Sequence, residues 1–373
     1  MTATQTQPKY LSVADAIEVM LRRGAWDGRK MPSVRGIALQ HNVSVVTASR
    51  ALQVLRDKGL IQTIERSGCY RIPPPTADRW ALCLRTAPGP WQLHTVTLAR
   101  SGFESLARRM PMLLQTEAFE YGADLTLDEA RRAATAAKGD EVKGVFLLPS
   151  RSGEAETLAD ETFMAGCDQA KLPVVLLERA LRARPDTSGR DLVSVDDLSA
   201  TRECTEYLIG LGRRKIGVVV ASSVSSHNDR VAGYLFALHQ AKQGNQPAYK
   251  PTVIYQKMNL TSKEAYAAVT DEVIREGLDA ILCYQDYTAM GVILELMQRR
   301  VRVPEDVAVI GFDNLPIGDA FNLALTTYDY PTESVAEHAV LMMRDRILNP
   351  ERSPVRVLVP GRLIVRGSTE ASQ

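Results

Sequence analysis

The stretch Met31–Tyr70, MPSVRGIALQHNVSVVTASRALQVLRDKGLIQTIERSGCY, decides the fold of the N-terminal end. Ser33 is placed to cap a short helix carrying Ile37, Ala38 and Leu39. His41-Asn42-Val43 supplies a turn, and Ser44 caps a second helix. In that second helix Ala48, Ala51, Leu52 and Leu55 fall at i, i+3, i+4 and i+7, one apolar stripe. Val45, Val46, Thr47, Ser49 and Arg50 are left toward the opposite side at its start, the positions a recognition helix offers to a major groove. Gly59 predicts a left-handed helix end, and Leu60–Ile64 followed by Glu65-Arg66-Ser67-Gly68 and Cys69–Ile72 predicts a hairpin, or wing.

The segment resembles the winged helix-turn-helix of the GntR-type transcriptional regulators through Pro32, Ser33, Arg35, Ser44, Thr47, Arg50, Ala51, Leu52, Gly59, Leu60 and Gly68. The likeness covers roughly residues 10 to 72, with Tyr10–Arg23 as the leading helix, whose apolar positions are Leu11, Ala14, Ile17, Val19 and Leu21. It implies contact with double-stranded DNA through Ser33, Arg35, Ser44, Val45, Val46, Thr47, Ser49, Arg50, Arg66 and Gly68. The chain departs from the family at Val45 and Ser49, where base-touching arginines are common. A valine can meet a thymine methyl while Thr47 and Arg50 hold phosphates, so an operator unlike the family's usual one is expected. The alternative is a head that contacts a protein partner on a small-molecule binding protein.

The 373 residues allow two or three domains with a sizeable core, and 45% hydrophobic with 24% charged residues fits an ordinary globular composition. No run has the apolar length of a bilayer span, and Met1–Pro8 has neither the basic start nor the apolar centre of a secretory signal, so a cytoplasmic location is expected. Five scattered cysteines without a Cys-x-x-Cys pair fit reduced thiols and offer no zinc or redox motif. The net charge of +1 conceals an asymmetry, +6 over residues 1–75 and −5 over the rest. A basic end favours a phosphate backbone and predicts salt-dependent binding.

Pro73-Pro74-Pro75 marks a semi-rigid spacer over 73–78 and ends a head at 1–72. From Trp80 the pattern changes to short apolar runs such as Gly144–Leu148, Val174–Leu177, Ile216–Val220, Ala280–Cys283 and Val307–Ile310, separated by amphipathic stretches. Buried strands alternating with helices predict parallel sheets with right-handed crossovers. No Gly-x-Gly-x-x-Gly or phosphate loop follows the first strand, and no cofactor is expected.

Residues 79–370 resemble the effector-binding core of the LacI/GalR repressors, itself similar to periplasmic sugar-binding proteins. The matching runs are Leu211–Gly217, Asp229–Tyr234, Gln285–Gly291, Arg302–Asp313, Leu325–Thr327 and Val365–Thr369. The resemblance implies an α/β core of two doubly wound parallel-sheet subdomains, 79–193 plus 331–349 and 194–327 plus 355–370, with three crossings and an effector in the cleft. With its α+β winged head, the chain resembles the hybrid arabinose-repressor group. A homodimer on a pseudo-palindromic operator is expected.

A polyhydroxylated effector needs converging donors and acceptors with an aromatic face. The resemblance implies a carbohydrate site built from Arg230, Asp313, Gln285 and Glu178, with Trp91 as a stacking ring and Tyr330 as a wall or a hinge contact near the second crossing. Structural alternatives remain for three of them: a surface ion pair for Arg230, a helix cap for Asp313, simple packing for Trp91. Asp286 is expected to cap the helix starting at Tyr287. The histidines, His41, His94, His227, His239 and His338, show no metal-ligand spacing, and no Gly-x-Ser-x-Gly elbow is present. Asp196-Asp197 reads as caps or solvated charge, and a non-enzymatic regulator is expected.

Overall fold

A computed structural model describes residues 8–22, 25–26, 30–64, 68–71, 78–84, 93–109, 112–115, 124–149, 154–182, 189–221, 224–243, 249–257, 260–316 and 324–370. The chain forms two compact units, residues 1–78 and 79–373. Pro73–Pro75, Arg66 and Trp91 lie outside the described residues.

The first unit contains helices α1 (Lys9–Arg22), α2 (Val34–Gln40) and α3 (Val45–Asp57) and the antiparallel pair β1 (Ile61–Ile64) and β2 (Gly68–Arg71). Ser33 and Ser44 are the caps, accepting from Gly36 N at 3.2 Å and Thr47 N at 3.1 Å. The stripe Ala48, Ala51, Leu52 and Leu55 is fully buried, against Val13, Ala14, Ile17 and Leu21 of α1 and Ile37 and Ala38 of α2. Val19 is 47% exposed, a correction to the expected α1 face, because Val13 takes the core position one turn before Ile17. Gly59 has φ +68 and frees the chain to turn into β1. Met31 N donates to Cys69 O at 2.9 Å and Lys30 bridges Tyr70, so the approach to α2 borders the wing.

The second unit holds two six-stranded sheets. The first contains β3 (Asp78–Leu84), β4 (Met112–Gln115), β5 (Val142–Leu148), β6 (Val174–Leu177), β7 (Asp191–Val195) and β13 (Arg356–Val359), in the order β13-β7-β6-β5-β3-β4. Its helices are α4 (Leu93–Ala107), α5 (Leu127–Gly139), α6 (Glu154–Gln169) and α11 (Thr332–Leu348). The second contains β8 (Ile216–Val220), β9 (Thr252–Tyr255), β10 (Ala280–Cys283), β11 (Ala308–Asp313), β12 (Thr326–Asp329) and β14 (Arg362–Ile364), in the order β14-β12-β11-β10-β8-β9. Its helices are α7 (Asp197–Gly210), α8 (Ser225–Gln243), α9 (Ser262–Arg275) and α10 (Asp286–Gln298).

The central strands β6, β7, β8, β10 and β11 are buried on both faces because helices cover both. Trp80, Leu82 and Phe146 enter one core with Phe103 of α4 and Met343 of α11, while Ala81, Cys83, Val145 and Leu147 enter another with Ala134 of α5 and Phe163 of α6. The first of these cores continues onto α7 and α8 of the second sheet through Cys204, Leu208 and Tyr234, so the two subdomains share apolar contacts. Doubly wound parallel pairing is the rule, and among the described strand pairs of these sheets β14 alone is antiparallel, against β12.

The division at 355 requires correction. Arg356–Val359 extends the first sheet beside β7 rather than belonging to the second, and the chain crosses between Val359 and Arg362. Asp191 explains this placement. Its fully buried carboxylate accepts from Val355 N at 2.9 Å, from Arg346 at 2.8 and 3.0 Å and from Arg352 at 2.8 and 2.9 Å, which pins the end of α11 and the start of β13 to β7. Burial opposes ionisation there, but the arginines hold the Asp191 carboxyl below its ordinary range.

Candidate DNA-reading face and effector cleft

On the first unit, α3 turns Val45, Val46, Ser49 and Arg50 outward, with Val45 49% and Val46 65% exposed. Arg35 is exposed on α2, and neither Arg35 nor Arg50 has a hydrogen-bond or ionic partner among the described residues. The hydroxyls of Ser44 and Thr47 bond each other at 2.8 Å, so both act first as helix-start groups. Gly68 opens β2 at φ +126, a conformation that favours glycine, and Ser33 is exposed at its cap.

In the second unit, Glu178, Asp313, Gln285 and Arg230 converge at the C-terminal ends of β6, β11 and β10 and on the first turns of α8, the usual ligand end of an open α/β sheet. All four are buried. Glu178 has φ +69 and Asp313 φ +108, left-handed backbone at two acids that leave their strands, which is strain of the kind concentrated at ligand clamps. Arg230 is no surface ion pair. Its Nε donates to Asp197 Oδ1 at 2.6 Å, its Nη1 donates to Tyr284 O at 2.6 Å, and the guanidinium lies 3.5 Å from the centre of the Phe312 ring. Burial and the Asp197 carboxylate push the Glu178 acid up to about 8, opposed by Arg179 and Arg230. Burial thus favours the neutral form of Glu178, which can donate as well as accept.

Gln285 Nε2 donates to Tyr284 Oη and Thr288 Oγ1, both at 3.1 Å, and Thr288 Oγ1 donates to Gln256 Oε1 at 3.1 Å. Among the described residues this leaves Gln285 Oε1, Gln256 Nε2, Ser226 Oγ and Glu178 Oε1 buried without a hydrogen bond. Such groups are costly unless something polar meets them. Tyr330 is buried between β12 and α11, at the second crossing, and its hydroxyl is likewise unbonded among the described residues. Ala180 N donates to Ser225 Oγ at 2.9 Å and Arg356 donates to Asp229 at 2.6 Å, two links between subdomains.

Two sequence readings change here. Asp286 does not cap α10: Gln285 holds the cap position, and Asp286, fully buried, accepts from Thr327 Oγ1 at 2.6 Å and Leu315 N at 2.7 Å. Gly311 allows that reach, since a Cβ there would stand 2.2 Å from Asp286 Oδ1. Burial, with the Asp313 charge, pushes Asp286 up to about 7. Asp196 is a cap, accepting from Ser199 N at 3.1 Å, whereas Asp197 is the buried partner of Arg230 rather than solvated charge. Asp197, Gln256 and Ser226 were not legible as cleft groups, because an acid or amide at a strand end looks the same whether it caps a helix or faces a ligand.

Residues 9–70 match the family model "Bacterial regulatory proteins, gntR family", and residues 205–369 match the "Periplasmic binding protein-like domain". The HTH-type transcriptional repressor PurR of Escherichia coli O1:K1 / APEC is 31% identical over 172 residues, 43% of this chain and 47% of that protein. The HTH-type transcriptional regulator CelR of Thermobifida fusca is 27% identical over 232 residues, 62% of this chain and 64% of that protein. The chain thus spans about half the length of the first curated relatives it matches. Among solved structures, a CelR–cellobiose complex aligns with TM-score 0.60 and 22% identity over 97% of this chain and all of the other. A ribose-bound LacI family regulator of Enterococcus faecium aligns with TM-score 0.60 and 17% identity over 79% of this chain. At these identities the structural likenesses establish the fold.

Proposed function

From a chain that joins a gntR-family head to a periplasmic-binding-protein-like core of LacI type, we propose a ligand-responsive transcriptional regulator, a repressor controlled by a sugar or related small metabolite. The observation that carries the effector half is the set of buried polar groups around Arg230 and Glu178 that are unbonded among the described residues. Glu178, Arg230, Gln285 and Asp313 hold the ligand's hydroxyls, Trp91 stacks on it and Tyr330 forms a wall. Ser33, Arg35, Ser44, Thr47, Arg50, Arg66 and Gly68 engage the backbone of a pseudo-palindromic operator, and Val45, Val46 and Ser49 face its bases. The active species is a cytoplasmic homodimer without enzymatic activity. No helix of the described residues is long and apolar enough to cross a membrane.

Regulation requires the effector to prefer one arrangement of the two core subdomains. A tenfold preference corresponds to about 1.4 kcal/mol. A thermal-shift screen of the full chain against pentoses, hexoses, their phosphates, disaccharides such as cellobiose and purines tests this: a neutral sugar raises the melting point of the parent and not of Arg230→Met. A set of ligands that shifts both proteins equally rejects the cleft assignment.

A further inference from the structure

We infer that the head reads its operator through thymine methyl groups, using Val45 and Val46, rather than through side-chain hydrogen bonds to guanine or adenine. The inference rests on the DNA-binding reading of the head given above.

The polar side chains of α3 are mostly committed elsewhere. Ser44 and Thr47 bond each other, Gln53 donates to Asp57 at 2.7 Å, and Arg56 donates to Thr63 Oγ1 at 3.1 Å on the wing. Lys58, just past the helix, is paired with Glu18 at 2.7 Å. The groups left projecting from the start of the helix are two valines, then Ser49 and Arg50. The opposite face of the same helix, Ala48, Ala51, Leu52 and Leu55, is sealed in the core, so the valines are not surplus core residues. Leu39, in the last turn of α2, is 86% exposed and adds a third aliphatic side chain to Val45 and Val46.

Exposed aliphatic groups in the most basic part of a chain need a covering surface that is both anionic and locally apolar. A major groove at thymine is such a surface: phosphates flank it, and the C5-methyl of thymine is the apolar feature that distinguishes that base on the groove floor. Arg35 and Arg50, exposed and unpartnered among the described residues, supply the complementary charge. Valine is stiff at χ1, so its two methyls reach the groove at little entropic cost. With positioning by arginines and discrimination by methyl groups, the half-site carries thymines where the first turn of α3 enters.

The test begins with duplexes selected from a random library by the full chain. Each thymine of the selected half-site is replaced by deoxyuridine, which removes only the methyl. One or two such replacements weaken binding about three- to fivefold each, the scale of one buried methyl. The Val45→Ala, Val46→Ala double variant, kept folded by its unchanged core stripe, binds thymine and deoxyuridine duplexes equally. Placing 5-methylcytosine at the sensitive position restores part of the affinity lost with unmethylated cytosine. Equal affinity of the parent for thymine and deoxyuridine duplexes overturns the inference while leaving DNA binding intact. Failure to select any duplex overturns the DNA-binding reading itself and assigns the valines to a protein partner.

Discussion

Replacing Glu178 by Gln should stabilise the protein above neutral pH. Glu178 is 7% exposed, and burial beside Asp197 raises its carboxyl from 4.5 to about 8. In the unfolded chain the group ionises near its ordinary value. Between these limits the folded state therefore binds the extra proton, and stability falls as pH rises through the window and levels off above the folded value. At about 1.4 kcal/mol per pH unit, the ionisable acid costs up to about 3 kcal/mol at pH 7 relative to an uncharged isostere. Glu178→Gln preserves the shape and the hydrogen-bonding capacity of the neutral acid and has no such penalty. Urea denaturation followed through Trp80, fully buried in the core, is to be run from pH 5 to pH 9. The variant's advantage should be smallest, below about 1 kcal/mol, near pH 5 and grow to about 4 kcal/mol near pH 8, with the parent's slope reduced by about one proton. A variant less stable than the parent at pH 8, or one with an unchanged slope, would refute the assignment of a neutral buried acid.

Asp191→Asn leaves Arg346 and Arg352 facing an uncharged group, and a loss of about 3 to 5 kcal/mol in the core's denaturation midpoint is expected; a change below 1 kcal/mol would show the cluster to be dispensable. Leu52→Ala, at a fully buried site in the head, should cost about 2 to 5 kcal/mol, seen as faster hydrogen exchange in residues 30–64 with the core's protection unchanged. Arg50→Ala should weaken binding to all DNA sequences alike and lower the salt slope by about one, with sugar affinity retained; loss of discrimination between sequences would instead place Arg50 on a base.

The head was legible because its signals are local. Caps at Ser33 and Ser44, the stripe ending at Leu55 and the turn at Gly59 each depend on residues within a few positions. The central strands were legible for the same reason, since a run such as Ala280–Cys283 buried on both faces is uniformly apolar. What failed depends on long-range partners. Arg356–Val359 is partly exposed and carries no pattern that assigns it to either sheet; its partner β7 lies more than 150 residues earlier, and Asp191 makes the choice. Asp286 looks like a helix cap until β12 brings Thr327 against it. Asp197 and Arg230, 33 positions apart, form a pair that only the packing of α7 against α8 discloses; a Cβ on Gly233 would stand 2.1 Å from Leu198 O, so the two helices approach closely there.

The central claim is that ligand in the core alters DNA binding by the head. The most direct measurement is the dissociation constant of the full chain for its selected duplex, taken with and without a saturating amount of whichever sugar stabilises it in the thermal-shift screen. A change of at least tenfold in that constant is expected, abolished by Arg230→Met. Sugar binding that leaves the constant unchanged would contradict it.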